Sequence, residues 1–171
     1  AAIFIPLLAG ACIGIINGAF VTKLKVPPWI TSLSMMMCLR GIAYIMTNES
    51  SVNVQKVSVH FQMIGRGEII GIPVPGILFL LAVLAGAYTL KYTKFGRSVY
   101  AVGGNLEGAR MMGIRSDRTI ICAYMICGVG AALSGLILAS RLGAAQSTAG
   151  ELYEMQVIAA VVLGGTLLTG G

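Results

Sequence analysis

Side chains able to support acid–base, nucleophilic or metal chemistry are few in this 171-residue sequence, and they are not grouped. No phosphate-binding loop, HExxH motif or CxxC pair is present. His60 is the only histidine; it has no neighbouring ligand pattern and is expected to be a surface residue. The six carboxylates all lie in polar connections or at the ends of apolar runs: Glu49, Glu68, Glu107, Asp117, Glu151 and Glu154. The sequence therefore predicts neither an enzyme nor a metal site.

Arg40 is a positive charge inside a long apolar run. A charge within a membrane is costly unless it faces the interior of a helix bundle or a water-filled cavity. A long arginine side chain can instead extend towards the membrane surface. Two interpretations therefore stay open, a pathway or structural-network role and an extension to the outer interface.

Half of the positive charge is concentrated in one polar segment, 91–118, which holds six of the twelve Lys+Arg residues. Within it, Gly103-Gly104-Asn105 is typical of a turn leading into a helix N-cap. A short helix is predicted from Leu106 to Met112, with Gly113 as its natural stop. Because so short a helix is unstable alone in water, its own protein or a docked partner has to hold it.

The composition is that of an integral membrane protein. The chain is 57% hydrophobic and 11% charged, and its mean hydropathy is +0.88, whereas soluble domains are roughly 25% charged. The net charge of +6 would suggest nucleic acid in a soluble protein. Here the basic residues flank apolar segments, so we interpret them as topology signals and expect no nucleic-acid partner.

Apolar stretches predict the elements that position these residues. A membrane-spanning helix needs about 20 mostly apolar residues. The predicted spans are 1–22, 29–47, 72–90, 119–140 and a shorter fifth at 156–169. The expected fold class is an all-α membrane protein, a polytopic transmembrane helix bundle forming a single domain over 1–171.

The connections between spans differ in charge. The first and third carry most of the positive charge, so the positive-inside rule places the loop 91–118 in the cytoplasm and the loop 48–71 outside. Small residues recur at helical spacing on the first and fourth spans. Such strips predict close helix packing, although membrane helices are also simply rich in glycine. The strips are Gly10, Gly14 and Gly18, and Gly128, Ala131, Ala132 and Gly135.

Four ordered motifs resemble one known family. Glu107-Gly108-Ala109 followed by Gly113 is similar to the EAA-x-x-x-G coupling loop of ABC importer permeases. The string around it, FGRSVYAVGGNLEGARMMGI, resembles the monosaccharide (ribose/galactose/xylose-type) branch. So do GIINGAFVTKLKVPPWITSLSMMMCLRG, GIPVP and LASRLGAAQSTAGELYEMQVIAAVVLGGTLLTGG. The chain departs from that branch at Gly108, where alanine is usual, and at Gln156, where aspartate is usual; the family's first and last spans are not present, so an internal fragment is expected.

The resemblance implies a permease subunit of an ATP-driven sugar importer, multi-pass in the bacterial inner membrane, that forms the monosaccharide pathway. The short helix, with the 103–114 loop around it, would be a cytoplasmic coupling helix. Implied partners are a second permease subunit in a homodimer, a cytoplasmic ATP-binding subunit, an extracytoplasmic sugar-binding protein and membrane lipid. The chain itself would hold no cofactor, because ATP and Mg are bound by the partner subunit.

The resemblance also assigns residues. The ATPase-coupling set is Gly103, Gly104, Asn105, Leu106, Glu107, Ala109, Arg110, Met112 and Gly113. Candidates for the pathway or the binding-protein side are Arg40, Gln146, Glu151, Glu154, Gly164 and Gly165. For Gly164-Gly165 a break in a pathway helix and close helix packing both stay open.

Two alternatives belong to other classes of protein. One is a fragment of a secondary transporter or channel whose ion site lies in missing segments, and the other is a membrane scaffold or assembly subunit. The predicted spans contain no carboxylate pair, so a transporter built from them would take its energy from another chain.

Overall fold

The computed structural model describes residues 3–48, 50–53, 65–69 and 71–165. Its helices are α1 Phe4–Lys23, α2 Pro28–Thr47, α3 Val74–Tyr92, α4 Lys94–Gly104, α5 Leu106–Met111, α6 Ser116–Leu142 and α7 Tyr153–Leu163. Four of them, α1, α2, α3 and α6, are long and apolar enough to cross a membrane. The all-α membrane fold is therefore confirmed. His60 and the end of the predicted fifth span, 166–169, lie outside the described residues.

Short antiparallel strand pairs lie in the segments that connect the helices. β1 (Val52–Asn53) pairs antiparallel with β4 (Ala144–Ala145), and β2 (Glu68–Ile69) pairs antiparallel with β3 (Ile72–Pro73). The first of these pairs ties the segment after α2 to the segment after α6. It thus brings together two parts of the chain that are far apart in sequence.

The two ends of α6 are set by polar or conformationally special residues that hydropathy does not detect. α6 begins at Ser116, three residues before its apolar stretch, with Asp117 in its first turn and Arg141 in its last. Both charges oppose the partial charges at the helix ends and stabilise them. α6 ends where Gly143 adopts φ 73°, with its N–H donating to the Ala139 carbonyl at 2.9 Å.

The tight core of the fold is the contact between α1 and α6. A Cβ at Gly10 would lie 2.5 Å from the Gly128 carbonyl oxygen, and a Cβ at Gly18 would lie 2.8 Å from the Ile121 Cα. A Cβ at Gly14 would meet the Tyr124 carbonyl and lie 2.8 Å from the Met125 Cα. The predicted glycine strip on α1 is therefore confirmed as a packing surface, because the two backbones touch along it.

The strip on α6 divides into two parts. A Cβ at Gly128 would meet the Gly10 carbonyl, and the Ala132 Cβ faces Gly10. Gly135, in contrast, has open space around it in the described part of the chain. Gly135 and Ala131 instead line an apolar groove beside α1 and α6. Only part of the predicted strip therefore packs against α1.

Candidate coupling platform and outer cavity

The turn from α3 into α4 is organised by Thr93. The Thr93 hydroxyl donates to the Thr89 carbonyl at 2.5 Å, and its oxygen accepts the Gly96 N–H at 3.1 Å. One side chain thus ends α3 and caps the N-terminus of α4. Gly96 is required by the close approach, since a Cβ there would collide with the Leu90 carbonyl group. These contacts fix how α4 leaves the predicted membrane span.

The predicted turn at Gly103-Gly104 is wrong, because both residues lie in the last turn of α4. The break falls on the next residue, Asn105, whose extended backbone separates α4 from α5. A glycine in a helix interior destabilises the helix by about 1 kcal/mol relative to alanine. Two consecutive glycines therefore favour a turn when only the local sequence is considered. Tertiary contacts of α4 with α3 and α6 outweigh that preference.

α4 itself was not predicted from the sequence. Its apolar side chains Phe95, Val99 and Val102 recur at helical spacing and are half-buried, whereas Lys94 and Arg97 are exposed. This is the pattern of an amphipathic surface helix. A search for long apolar runs does not detect α4, but a test for helical periodicity in the loop 91–118 does.

α5 is capped at both ends, as the sequence predicts. The Asn105 side-chain oxygen accepts the Gly108 N–H at 2.9 Å. At the other end Gly113 adopts φ 77°; its N–H donates to the Arg110 carbonyl at 3.0 Å, and the Ile114 N–H donates to the Ala109 carbonyl at 3.0 Å. This is the Schellman arrangement, which needs a left-handed residue after the helix. The two caps explain how a helix of six residues is held.

One residue of the coupling set faces the chain itself. Ala109 is fully buried, where it holds α5 against its own protein. Leu106 is 39% exposed and Met112 71% exposed, and Glu107 and Arg110 also face solvent. Met111, which the sequence did not single out, is 89% exposed. The outer face of α5 therefore presents apolar side chains among charges.

An ion pair joins α5 to α6. The Arg110 guanidinium donates to the Asp117 carboxylate at 2.8 Å, and both side chains are at least half-exposed. An exposed pair stabilises by about 0–1 kcal/mol, so it orients the helices more than it holds them together. A cleft of about 330 Å³ lies beside the pair, between Ile114 and Arg118.

A polar cavity of about 520 Å³ lies at the far end of α2. Its described lining residues are Tyr44, Ser50, Ser51, Gln146, Ser147 and Thr148. The β1–β4 pairing places Val52 opposite Ala145, which brings the two serines next to the segment that holds Gln146. Of these residues the sequence singled out only Gln146. Ser147 and Thr148 follow Gln146 directly, whereas Tyr44, Ser50 and Ser51 come from a distant segment, and no local signal groups the two segments.

Arg40 forms an ion pair with Glu151, at 3.7 Å between its Nη1 and the Glu151 Oε1. The Arg40 side chain is 21% exposed and that of Glu151 is 49% exposed. The pair is compatible with both interpretations left open by the sequence, because Glu151 lies in a connection that is expected outside, so the role of Arg40 stays a prediction. The pair joins α2 to the segment that follows α6, one helical turn from Tyr44.

A second contact fastens the same region. The Arg66 Nε donates to the Arg141 carbonyl at 3.0 Å, at the C-terminal end of α6. Gly65 packs so closely that a Cβ there would lie 2.6 Å from the Ser140 Oγ. The remaining predicted residues lie at the ends of α7: Glu154 is in its first turn, and Gly164 and Gly165 follow its last residue, Leu163.

The Arg40–Glu151 pair predicts a reciprocal charge effect. Glu151→Lys should destabilise the folded protein by about 1 kcal/mol, because it exchanges an attraction for a repulsion of similar size. The double variant Arg40→Glu/Glu151→Lys should regain most of that loss. Thermal unfolding of the full-length protein in detergent measures both. Arg40→Glu should not rescue Glu154→Lys; equal rescue there would mean that only net charge matters.

These features define a multi-pass membrane protein with a capped helix displayed on one connection, an arrangement suited to a transport subunit. The chain belongs to the family described as "Branched-chain amino acid transport system / permease component", which matches residues 1–170. This confirms the resemblance and the expectation of a permease component rather than an enzyme. It also supports a location in the bacterial plasma membrane, since the similar proteins are bacterial permeases.

Three curated proteins illustrate the similarity. The ribose import permease protein of Bacillus subtilis (strain 168) is 45% identical over 155 residues, which are 91% of this chain and 48% of that protein. The ribose import permease protein of Escherichia coli (strain K12) is 42% identical over 172 residues, which are 99% of this chain and 54% of that protein. The L-arabinose transport system permease protein of the same strain is 38% identical over 156 residues, which are 91% of this chain and 47% of that protein. The chain thus spans about half the length of these relatives. No solved structure matches it.

Proposed function

We propose that this chain is part of the permease subunit of an ATP-driven monosaccharide importer and that it couples to a separate ATP-binding subunit through the 103–114 loop. The observation that carries the proposal is α5, a six-residue helix capped at both ends and anchored by the buried Ala109. A helix that contributes so little to the core, yet is held so firmly, is suited to a partner contact.

The exposed face of α5 fits helix-in-groove recognition. Leu106, Met111 and Met112 present apolar surface next to the charged side chains of Glu107 and Arg110. Methionine side chains adapt to irregular grooves. A partner that closes on α5 would also act on the start of α6, because the chain passes directly from Gly113 into α6 and the Arg110–Asp117 pair orients the two helices.

The orientation and the other partners follow from charge and from the relatives. Lys91, Lys94 and Arg97 are exposed on the same connection as α5, which favours the cytoplasm for this side. ATP and Mg would be held by the ATP-binding subunit, and a sugar-binding protein would dock on the opposite face, near Gln146 and Glu151. A second permease subunit would complete the pathway as a homodimer. The substrate class is a monosaccharide, in line with the names of the ribose and L-arabinose relatives.

Co-purification tests the coupling step. The full-length permease should retain its ATP-binding subunit, and Met111→Asp/Met112→Asp should weaken that association by at least about tenfold, since buried interface anchors contribute 2 kcal/mol or more. Met155→Asp is the matched control, because Met155 is 63% exposed but lies on α7. Unchanged association of the double variant would contradict the proposal. Uptake that follows a proton or sodium gradient and survives ATP depletion would favour a secondary transporter.

A further inference from the structure

We propose that the outer cavity is itself a binding site for a neutral aldose, so that the permease selects its substrate directly. This inference rests on the proposed function, in which the cavity lies on the side where sugar is delivered. Its volume of about 520 Å³ falls within the roughly 300–1,000 Å³ of small-molecule sites.

The chemistry of the lining carries the proposal. The described lining side chains offer five hydroxyl groups and one carboxamide. Each of these groups can both donate and accept hydrogen bonds. Such a surface matches the hydroxyl groups of a sugar, which also act in both ways. Since all six are neutral, the described lining offers no charge to pair with a phosphate or with the ammonium and carboxylate of an amino acid.

Several of these groups are available for a ligand. The Ser50 hydroxyl donates to the Thr47 carbonyl at 2.6 Å and keeps only its acceptor capacity. Ser51, Gln146, Ser147 and Thr148 make no side-chain hydrogen bond to another described residue. A site that pairs its polar groups with substrate hydroxyls discriminates strongly against compounds that lack them.

The walls of the cavity are tied together before any ligand enters. The β1–β4 pairing fixes the 50–53 segment against residues 144–145. The Arg40–Glu151 pair joins α2, one turn before Tyr44, to the chain three residues after Thr148. Walls that are already joined reduce the ordering cost of binding. In the same pair, the Glu151 carboxylate balances the positive charge of the nearby Arg40, so this charge is not left unpaired beside the cavity.

Protection of an introduced thiol tests the proposal. Ser147→Cys in the full-length permease, purified in detergent without partner subunits, is labelled with a maleimide in the presence of D-ribose or L-arabinose. At ten times the dissociation constant of the sugar, labelling should slow about tenfold, because only the free site reacts. Leucine and ribose 5-phosphate should give no protection. Wild type supplies the background from native cysteines; the four of this chain lie in apolar helices.

Controls separate a site from a general effect. Ser98→Cys is the matched control: like Ser147, Ser98 is partly exposed, but it lies on α4, and its labelling should ignore the sugars. Ser51→Cys provides a second reporter in the cavity, and Gln146→Ala/Thr148→Val should abolish protection at both reporters. The proposal is overturned if neither aldopentose protects either reporter, or if leucine protects equally. Because no ATP-binding subunit is present, such a failure leaves the coupling proposal standing, and a failed co-purification leaves the cavity result standing.

Discussion

Gly14→Leu is expected to prevent stable packing of α1 against α6. A Cβ at Gly14 would already meet the Tyr124 carbonyl and lie 2.8 Å from the Met125 Cα, and these are backbone atoms that no rotamer change can move aside. Gly10 and Gly18, one helical turn to either side, also approach α6 closely, so tilting the helices would not make room. Overpacking a dense contact costs about 1–3 kcal/mol and occasionally more, and a leucine across two touching backbones belongs at the upper end.

Size-exclusion chromatography and protease resistance of the full-length protein in detergent measure this effect. Gly130→Leu is the matched control, since Gly130 lies on α6 itself and has open space around it in the described part of the chain. The control should elute and resist digestion like wild type. If Gly14→Leu did the same, the α1–α6 contact would not be the tight core that the glycine spacing indicates.

Local signals account for what could be predicted. The caps of α5 depend on residues within a few positions of each other, so Asn105 and Gly113 are visible in the sequence. The glycine spacing on α1 likewise shows which face packs. It does not show that only Gly128 and Ala132 of the α6 strip meet that face, because the choice between strips depends on how two distant helices align.

Non-local contacts account for what could not be predicted. The outer cavity depends on a strand pairing of two residues per strand between the segments after α2 and after α6. Two-residue strands carry no alternation that a sequence can reveal. The Arg40–Glu151 pair likewise joins positions that are far apart in the chain. Hydropathy places Arg40 in a span, but it does not identify its partner.

α6 connects the proposed coupling helix α5 to the proposed sugar site. Its 27 residues extend about 40 Å at 1.5 Å per residue. Its first turn pairs with α5 through Asp117, and its last turn accepts Arg66 at the Arg141 carbonyl, beside the segment that lines the outer cavity. In the proposed importer, a displacement of α5 would therefore reach the cavity through one continuous helix that is packed along α1, as in other rigid-body rearrangements.

Gly113→Val is expected to abolish sugar uptake while leaving the membrane helices assembled. Gly113 adopts φ 77°, where a side chain costs roughly 1–2 kcal/mol and a β-branched one is a strong outlier. The two hydrogen bonds that end α5 depend on that conformation. A six-residue helix has no further turns to compensate, so binding of the ATP-binding subunit should weaken by about tenfold or more, which corresponds to about 1.4 kcal/mol.

A matched glycine distinguishes loss of coupling from general strain. Gly71 adopts φ 76° with open space around it in the described structure, but it lies between β2 and β3, far along the chain from α5. Gly71→Val therefore imposes a similar backbone cost without altering the coupling helix, and it should retain its ATP-binding subunit. Equal loss of that association in both variants would show that strain alone is responsible. Normal uptake by Gly113→Val would remove α5 from the coupling step, because the cap that defines the helix would then be dispensable for transport.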